Sequence, residues 1–313
     1  MKNKYAIDDD FAKMPAITIA FKPWILFLIN SLSRLQCFFV RRSLDVAVKD
    51  HHVARSDGTQ LHVFTMTPSG LQDPAPTLIY YHGGAFAITY AGLHITNCQR
   101  YAVEAGCKIV FVAYQLAPKH PFPAGFDDCY LALQWVIDNA DMLSVDANRI
   151  AVGGDSAGGA LSSGVAQKAR DEMPNSLCAQ MLVYPVMDNT CSTTSASDFV
   201  DVPLFNAISN RNMWDMYVKS SPGGVAPPYA APGFGQLHDL PLSYVETAEF
   251  DPLRDEGLEH AQKLQEAGIE VVLNETKGTI HGYDAVGDSP LSQAGMQNRV
   301  AFLKKAFGRV PTS

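Results

Sequence analysis

The sequence is poor in charged residues, and it has no basic block of five or more residues. Charged side chains make up 18% of the 313 residues, below the usual quarter, which is typical of a compact globule with many buried positions. The formal net charge of −8 argues against a nucleic-acid partner, because phosphate binding needs a basic surface. The 47% hydrophobic content suffices for one large core, or for a core domain with a small attachment.

The sequence also lacks the CxxC and HxH spacings that mark metal sites, so we expect no structural metal. Six cysteines are spread along the chain, mostly in apolar segments, at positions 37, 98, 107, 129, 178 and 191. We expect cysteines distributed in this way to be small buried residues in a reducing compartment and not to form disulfides.

A convincing membrane anchor or leader is missing too. Residues 24–40 are apolar but contain several polar residues, and acidic residues 8–10 stand where a signal peptide would be basic. We therefore expect a cytoplasmic protein. One stripe of this segment is polar at helical spacing: Asn30, Ser33, Arg34, Cys37 and Arg41. This pattern predicts an amphipathic helix that covers an apolar surface of the protein itself, with contact to a membrane surface as the alternative.

From about residue 60, apolar runs rich in β-branched and aromatic residues alternate with helix-like segments. The runs predicted as strands are 61–66, 76–81, 108–114, 149–153, 179–185, 242–248 and 269–274. The predicted helices are 94–106, 126–140, 157–170, 254–267 and 292–307. This alternation predicts an α/β fold with a mostly parallel sheet covered by helices on both faces.

Two regions depart from this alternation. Residues 1–45 are helix-like throughout, and residues 187–235 are long, first polar and then rich in Pro and Gly. Insertions between strands of such a sheet usually lie over the carboxyl edge, where ligands bind. We predict that the two regions form a mainly helical cap on a core made of 46–186 and 236–313.

The run from Gly154 to Gly158 reads G-D-S-A-G and contains the pattern G-x-S-x-G around Ser156. A strand precedes it and a helix of small residues follows. This context is typical of a nucleophile elbow, in which a serine occupies a strained turn with its hydroxyl exposed. The flanking glycines are needed because strand and helix backbones nearly touch there.

A serine nucleophile requires backbone N–H groups aimed at the oxyanion of its tetrahedral intermediate. The residue after the nucleophile, Ala157, supplies one donor. The sequence H-G-G-A-F at 82–86 follows an early strand and supplies bare backbone, so we expect the amides of Gly83 and Gly84 to be donors, with Ala85 as a third candidate. His82 is interpreted as an organiser of this loop.

The base and the acid should follow Ser156 in the order acid, then histidine. Asp251 ends a late strand, and His281 lies in a loop after the next strand. His281 is therefore predicted to be the base, with Asp251 fixing its tautomer. His238 precedes the acid's strand and His260 lies within a helix. Asp188, which also follows a strand, remains a rival acid, and Glu249 is too far back along its own strand.

Together these stretches resemble the hormone-sensitive-lipase-like branch of the α/β-hydrolases, the bacterial family IV esterases. The resemblance rests on HGGAF, GDSAGG, EFDPLRDEG and HGY in this order, with YQLAPKHPFPAGFDDC at 114–129, and it covers about residues 50–310. It implies the same triad of Ser156, Asp251 and His281 and an oxyanion hole of Gly83, Gly84 and Ala157. It further implies small ester substrates with short to medium acyl chains, no cofactor and a homodimer.

Two departures from the family pattern stand out. Gln115 and Lys119 replace an Arg and a Glu that we expect to form a structural ion pair. Ala85 replaces a third glycine, although it still offers its amide.

The predicted reaction is a two-step acyl transfer that hydrolyses carboxylic esters. The alternatives are an amide or carbamate hydrolase, a longer-chain lipase that uses 24–40 at a lipid surface, and a small-molecule receptor on a hydrolase scaffold. Aromatic and apolar residues of the cap are candidate pocket walls, or else cap core: Phe21 to Phe27, Phe205, Met213, Trp214 and Tyr217.

Overall fold

The computed structural model describes residues 4–40, 45–218, 224 and 226–308, and within them an eight-stranded sheet forms the centre. The strands are β1 (Val46–Ala54), β2 (Gln60–Pro68), β3 (Ala75–Tyr81), β4 (Lys108–Ala113), β5 (Val145–Asp155), β6 (Ala179–Val183), β7 (Leu242–Phe250) and β8 (Val271–Ile280). Their spatial order is β1-β2-β4-β3-β5-β6-β7-β8. The pairs β1–β2 and β2–β4 are antiparallel, and all other pairs are parallel, so the predicted fold class is confirmed.

Helices cover both faces of this sheet. They are α1 (Asp9–Ala12), α2 (Pro23–Val40), α3 (Gly92–Ala105), α4 (Ala124–Asp138), α5 (Ala140–Leu143), α6 (Ala157–Glu172), α7 (Thr194–Asp198), α8 (Ala207–Val218), α9 (Arg254–Glu266) and α10 (Pro290–Phe307). One apolar layer includes Leu133 of α4, Leu161 of α6 and Leu264 of α9. The opposite layer includes Tyr101 of α3 and Leu303 of α10. The two layers bury the central parallel strands completely, which explains their nearly continuous apolar sequences.

Strand β1 was not among the predicted strands. It lies at the edge of the sheet, pairs only with β2, and buries little beyond Val46 and Val53. The polar run from Lys49 to His52 lies between these two buried valines, so β1 shows only a weak alternation of apolar and polar residues. An edge strand of this kind is held by its backbone hydrogen bonds more than by its side chains.

The two predicted cap regions contact each other through hydrogen bonds that backbone amides donate. The amide of Ile19 donates to Ser209 Oγ at 2.9 Å, and the amide of Leu204 donates to the carbonyl oxygen of Pro15 at 3.1 Å. These contacts support a single cap, which stays a prediction. Parts of both regions, residues 1–3, 41–44, 219–223 and 225, lie outside the described residues.

Helix α2 packs on the protein as predicted, but with the opposite face. Its inward side carries Leu26, Asn30 and Cys37, and Asn30 forms hydrogen bonds with the core loop that precedes α3. Its apolar side is exposed instead: Trp24, Phe27, Leu28, Leu32 and Leu35. The expectation that this helix covers an apolar surface with its apolar face is therefore wrong. None of the described helices combines the length and apolar character that crossing a bilayer requires.

The structure shows the contacts of Gln115, one of the two residues that depart from the family pattern. Gln115 Nε2 lies 3.2 Å from His120 Nδ1, and its backbone amide donates to Asp128. Gln115 thus contacts His120 at the position where the family pattern implies an ion pair.

Candidate active site

Ser156 lies in the sharp turn between β5 and α6. Its backbone angles are φ 55° and ψ −117°, a conformation that costs free energy for any residue with a Cβ atom. The turn packs directly on the end of β3, and a Cβ atom at Gly154 or Gly158 would collide with the carbonyl oxygen of Tyr81. The two glycines of the G-x-S-x-G pattern are therefore required by this close approach, and the serine hydroxyl is held at the carboxyl edge of the sheet.

Three side chains from different loops form a continuous hydrogen-bonded chain. Ser156 Oγ lies 2.8 Å from His281 Nε2, and His281 Nδ1 lies 2.8 Å from Asp251 Oδ2. Asp251 is fully buried, and its second oxygen accepts a hydrogen bond from the amide of Leu253 at 2.9 Å. Both carboxylate oxygens are thus satisfied, and the carboxylate fixes the imidazole with Nε2 toward the serine.

Aromatic side chains hold the His281 ring in place. Tyr184 meets it edge to face with ring centroids 4.9 Å apart, and the Phe205 ring lies 4.8 Å away. Gly282 follows with a φ of +67°, which allows the chain to turn back toward α10. Because Phe205 belongs to the predicted cap, the cap helps to orient the imidazole.

A buried ion cluster anchors the far side of this loop. Arg299 of α10 contacts Glu246 at 2.5 Å and Asp284 at 2.7 Å, and all three side chains are buried. Tyr184 OH donates to the other oxygen of Asp284 at 2.6 Å. Sequence reasoning missed this cluster, since a lone arginine in a C-terminal helix carries no signal of burial. It connects the His281 loop to the core of the protein.

The rival residues take other roles. Asp188 accepts a hydrogen bond from the amide of Thr190, and Glu249 accepts one from the amide of Gly278. His238 lies on the surface beside Asp239. His260 is buried against Ser163, and burial lowers the pKa of His260 to about 3. None of these four side chains contacts Ser156 or His281.

The loop after β3 lies beside the serine. Gly84 and Ala85 line the same cavity as Ser156 and His281. Among the described residues, none accepts a hydrogen bond from the amides of Gly84, Ala85 or Ala157. The amide of Gly83 is different, because it donates to Asp155 Oδ1 at 2.9 Å. This contact corrects the expectation for Gly83, whose N–H already has an acceptor.

Asp155 organises this loop, a role that the sequence reasoning missed although the residue lies inside the serine motif. Its carboxylate also accepts from Tyr80 OH at 2.7 Å and lies 3.3 Å from His94 Nε2. Burial alone would raise the pKa of Asp155, but His94, Tyr80 and Gly83 outweigh it and hold this pKa well below its usual range. An ionised carboxylate thus joins the turn at Ser156 to the glycine loop.

His82 serves the loop as predicted from the sequence. It is buried, stacks on Tyr114 with ring centroids 4.3 Å apart, and contacts the carbonyl oxygen of Gly83 through Nδ1 at 2.6 Å. Burial lowers the pKa of His82 to about 3, so the ring is neutral at ordinary pH. A neutral, enclosed imidazole of this kind stabilises the loop conformation.

The cavity at Ser156 has a volume of about 270 Å³ and is mainly apolar. Its walls include Ile19, Leu204 and Phe205 from the predicted cap regions and Ile88 and Leu93 from the core. Of the other candidate wall residues, Tyr217 instead stacks on Phe86 with centroids 3.7 Å apart, and Trp214 is buried beside both rings. These two residues therefore pack between the predicted cap and the core and do not line the cavity.

Comparison with known proteins identifies relatives that share this fold. Residues 78–285 match a protein family that is described as having the α/β hydrolase fold. The chain is 37% identical over 242 residues to carboxylesterase NlhH of Mycobacterium tuberculosis, covering 76% of each protein. It is 32% identical over 245 residues to an ethyl acetate hydrolase of Pseudomonas putida, covering 77% of this chain and 76% of that one. The crystal structure of esterase LipW from Mycobacterium marinum superimposes with a TM-score of 0.88 and 32% identity, covering 97% of both chains.

The matched segment spans most of the chain and contains Ser156, Asp251 and His281 together with the glycine loop. The chain is more than 30% identical to a carboxylesterase over three quarters of that protein, and it shares its overall fold with a solved esterase. The similarity therefore supports a shared activity as well as a shared fold. The chain therefore belongs to the α/β-hydrolase family, in its hormone-sensitive-lipase-like branch, and is a carboxylic ester hydrolase.

Proposed function

We propose that Ser156, His281 and Asp251 hydrolyse esters in two steps through an acyl-enzyme. Ser156 Oγ attacks the ester carbonyl while His281 Nε2 takes its proton, and the same proton then passes to the departing alcohol oxygen. A water molecule attacks the acyl-enzyme with His281 again as base, which releases the acid and restores the serine. The observation that carries this proposal is the pair of 2.8 Å contacts that join the three side chains.

The oxyanion of each tetrahedral intermediate is stabilised by the amides of Gly84, Ala85 and Ala157. All three lack an acceptor among the described residues, and two of them line the cavity with the serine. Donors that are fixed before the reaction need no reorganisation when charge develops, and this is usually the largest electrostatic contribution to such catalysis. Gly83 acts through Asp155 by holding the loop in place.

The substrates are esters with short to medium acyl chains. A cavity of about 270 Å³ lies just below the range of roughly 300–1,000 Å³ that is typical of pockets for drug-sized ligands. The walls are apolar, so they favour an acyl chain over a charged group. Similarity to a relative named ethyl acetate hydrolase supports a small ester.

The test is hydrolysis of p-nitrophenyl esters from acetate to palmitate by the wild-type chain and by Ser156→Ala. We expect kcat/KM to be highest for chains of about two to six carbons, as the cavity size implies. The variant should lose on the order of 10⁶ in kcat if the triad acts as a unit. Ser197→Ala, an exposed serine of α7, serves as the matched control and should keep full activity.

Covalent labelling makes the same test independent of substrate choice. Diethyl p-nitrophenyl phosphate, a neutral phosphate triester, should transfer its diethylphosphoryl group to Ser156 Oγ with loss of p-nitrophenolate in the wild-type chain and not in Ser156→Ala, as read by peptide mass spectrometry. A loss of activity below tenfold in Ser156→Ala, or labelling at another residue, would contradict the assignment. Faster turnover of an anilide than of its matched ester would replace esters with amides as the substrate class.

A further inference from the structure

Helix α2 presents an apolar stripe to solvent. Trp24, Phe27, Leu28, Leu32 and Leu35 recur at spacings of three and four residues and lie on one side of the helix. All are exposed, and Phe27 and Leu32 each retain 70% of their accessible surface. Ile17, just before the helix, is also exposed. Contiguous exposed apolar surface of this kind marks an interaction site more often than single exposed side chains do.

The inward face fixes this orientation. Asn30 Nδ2 donates to the carbonyl oxygen of Ala87 at 3.1 Å, and Asn30 Oδ1 accepts from the amide of Thr89 at 2.8 Å. Two turns further on, Cys37 Sγ contacts the carbonyl oxygen of Tyr90. Rotating the helix to bury its apolar stripe would break these contacts and leave buried backbone groups unpaired. The stripe is therefore a stable feature of the surface.

The sequence segment that contains this helix carries charge of one sign. Residues 11–44 contain five basic residues, namely Lys13, Lys22, Arg34, Arg41 and Arg42, and no acidic residue. The chain as a whole has a net charge of −8, so its negative excess lies outside this segment. Lys13, Lys22 and Arg34 are exposed. Basic residues flanking a stripe of Trp, Phe and Leu are complementary to a surface of anionic lipids.

A groove beside α2 has the same character. Its volume is about 760 Å³, and it is distinct from the cavity at Ser156. Leu26 and Phe27 of α2 line it together with Leu116 of the core, while Arg34 and Lys119 lie among its polar lining residues. No carboxylate is among the described residues that line it. An apolar groove with cationic groups suits the acyl chain and the headgroup of a single anionic lipid.

A second copy of the chain fits this surface less well. In a two-fold dimer the same patch of both copies meets itself, so Lys22 and Arg34 of one copy would face the same basic segment of the other. Like charges brought together in this way oppose association.

We propose that α2 is an interfacial helix that docks this enzyme on the surface of an anionic phospholipid bilayer. Its apolar stripe enters the boundary between headgroups and acyl chains, and its basic residues contact lipid phosphates. The helix lies in the plane of the surface and does not span the bilayer. The residue stretch before α2 includes Ile19, a wall of the cavity at Ser156, so docking places the active site close to the lipid.

Co-sedimentation of the full-length chain with sucrose-loaded vesicles tests this proposal without reference to turnover. Vesicles of phosphatidylcholine alone are compared with vesicles that contain about 30% phosphatidylglycerol, a composition that makes the surface anionic. We expect the wild-type chain to bind the anionic vesicles and to be released by added salt. Phe27→Ser/Leu32→Ser should weaken binding by roughly tenfold for each side chain removed.

The matched control is Val103→Ser/Met142→Ser. Val103 and Met142 are similarly exposed, at 52% and 65%, but they lie on α3 and α5, away from α2 in sequence. Binding by this variant should equal that of the wild type. Lys22→Gln/Arg34→Gln should weaken binding to anionic vesicles by about fivefold for each charge, whereas Lys49→Gln/Lys277→Gln, two exposed lysines of β1 and β8, should have no effect.

Three results would overturn the proposal. The first is a wild-type chain that binds neither vesicle, and the second is equal loss of binding in the α2 and control variants. The third concerns a second copy. If sedimentation velocity shows a wild-type dimer that becomes a monomer in Phe27→Ser/Leu32→Ser, the stripe is a dimer interface.

Discussion

Helices α6 and α2 have similar lengths but opposite patterns of burial. Helix α6 buries twelve residues, mostly small or apolar, and directs Leu161 and Val165 into the core. Among its described side chains, helix α2 buries few, places Asn30 inward, and leaves Trp24 and Phe27 in solvent. The two helices therefore follow different rules, although both carry apolar residues at helical spacing.

The difference lies in the surface that each helix covers. Helix α6 lies against the sheet, whose backbone groups already pair with neighbouring strands, so apolar side chains are the best partners there. Helix α2 lies against the loop from Ala87 to Tyr90, whose amides and carbonyls have no strand partner. These groups require hydrogen bonds once they are covered, and Asn30 supplies two of them. A helix that covers an irregular loop thus turns its polar side inward.

The same substitution in both helices tests this comparison most strongly. Leu161→Ala in α6 removes a buried side chain, and we expect it to lower the free energy of unfolding by about 2–5 kcal/mol. Leu32→Ala in α2 removes an exposed side chain and should change the free energy of unfolding by less than about 0.5 kcal/mol. Urea unfolding followed by circular dichroism measures both. Equal losses would mean that Leu32 is covered by another part of the chain.

Sequence reasoning succeeded where a motif implies its own structural context. The elbow at Ser156 needs glycines at 154 and 158, and the order of acid and histidine along the chain leaves Asp251 and His281, which the structure brings together. The central strands were equally visible, because burial on both faces makes them apolar throughout.

The errors share a physical cause, which is that a periodic pattern defines faces without saying what lies opposite them. The stripe in α2 was recognised, but its inward side depends on the loop from Ala87 to Tyr90. Gly83 was assigned by position, whereas its actual partner is Asp155, a side chain from another segment. Strand β1 was missed because its pairing with β2 depends on backbone groups rather than on side-chain pattern.

Helix α6 also has a buried polar contact with a titratable group, and its pH dependence sharpens the comparison. Ser163 Oγ lies 3.2 Å from His260 Nε2, and burial lowers the pKa of His260 to about 3. The unfolded chain binds a proton at this histidine below about pH 6.5 and the folded chain does not. Stability should therefore fall as pH decreases below 6.5, by about 1.4 kcal/mol per pH unit from this group.

His260→Gln removes that contribution. Urea unfolding of the wild-type chain and the variant between pH 7 and pH 5 should show a shallower loss in the variant, by about 2 kcal/mol over this range. Ser163→Ala is the control, because it removes the hydrogen bond but keeps the titrating group, and its pH dependence should follow the wild type. Parallel curves for wild type and His260→Gln would show that His260 is accessible to protons in the folded chain.

Asn30 provides a smaller expected loss than Leu161 or His260 and the most direct test of the inward face of α2. Asn30→Ala leaves the Thr89 amide and the Ala87 carbonyl without their partners, and we expect a loss of about 1–2 kcal/mol in the free energy of unfolding. Asn30→Asp keeps the acceptor for Thr89 but loses the donor to Ala87. The free energy of unfolding that it loses through hydrogen bonding should therefore lie between zero and the loss in Asn30→Ala. Ser33→Ala on the same helix is the control. Because the affected loop continues from Gly84 and Ala85, Asn30→Ala should also lower kcat with little change in KM, whereas a helix that only covers the loop would leave kcat unchanged.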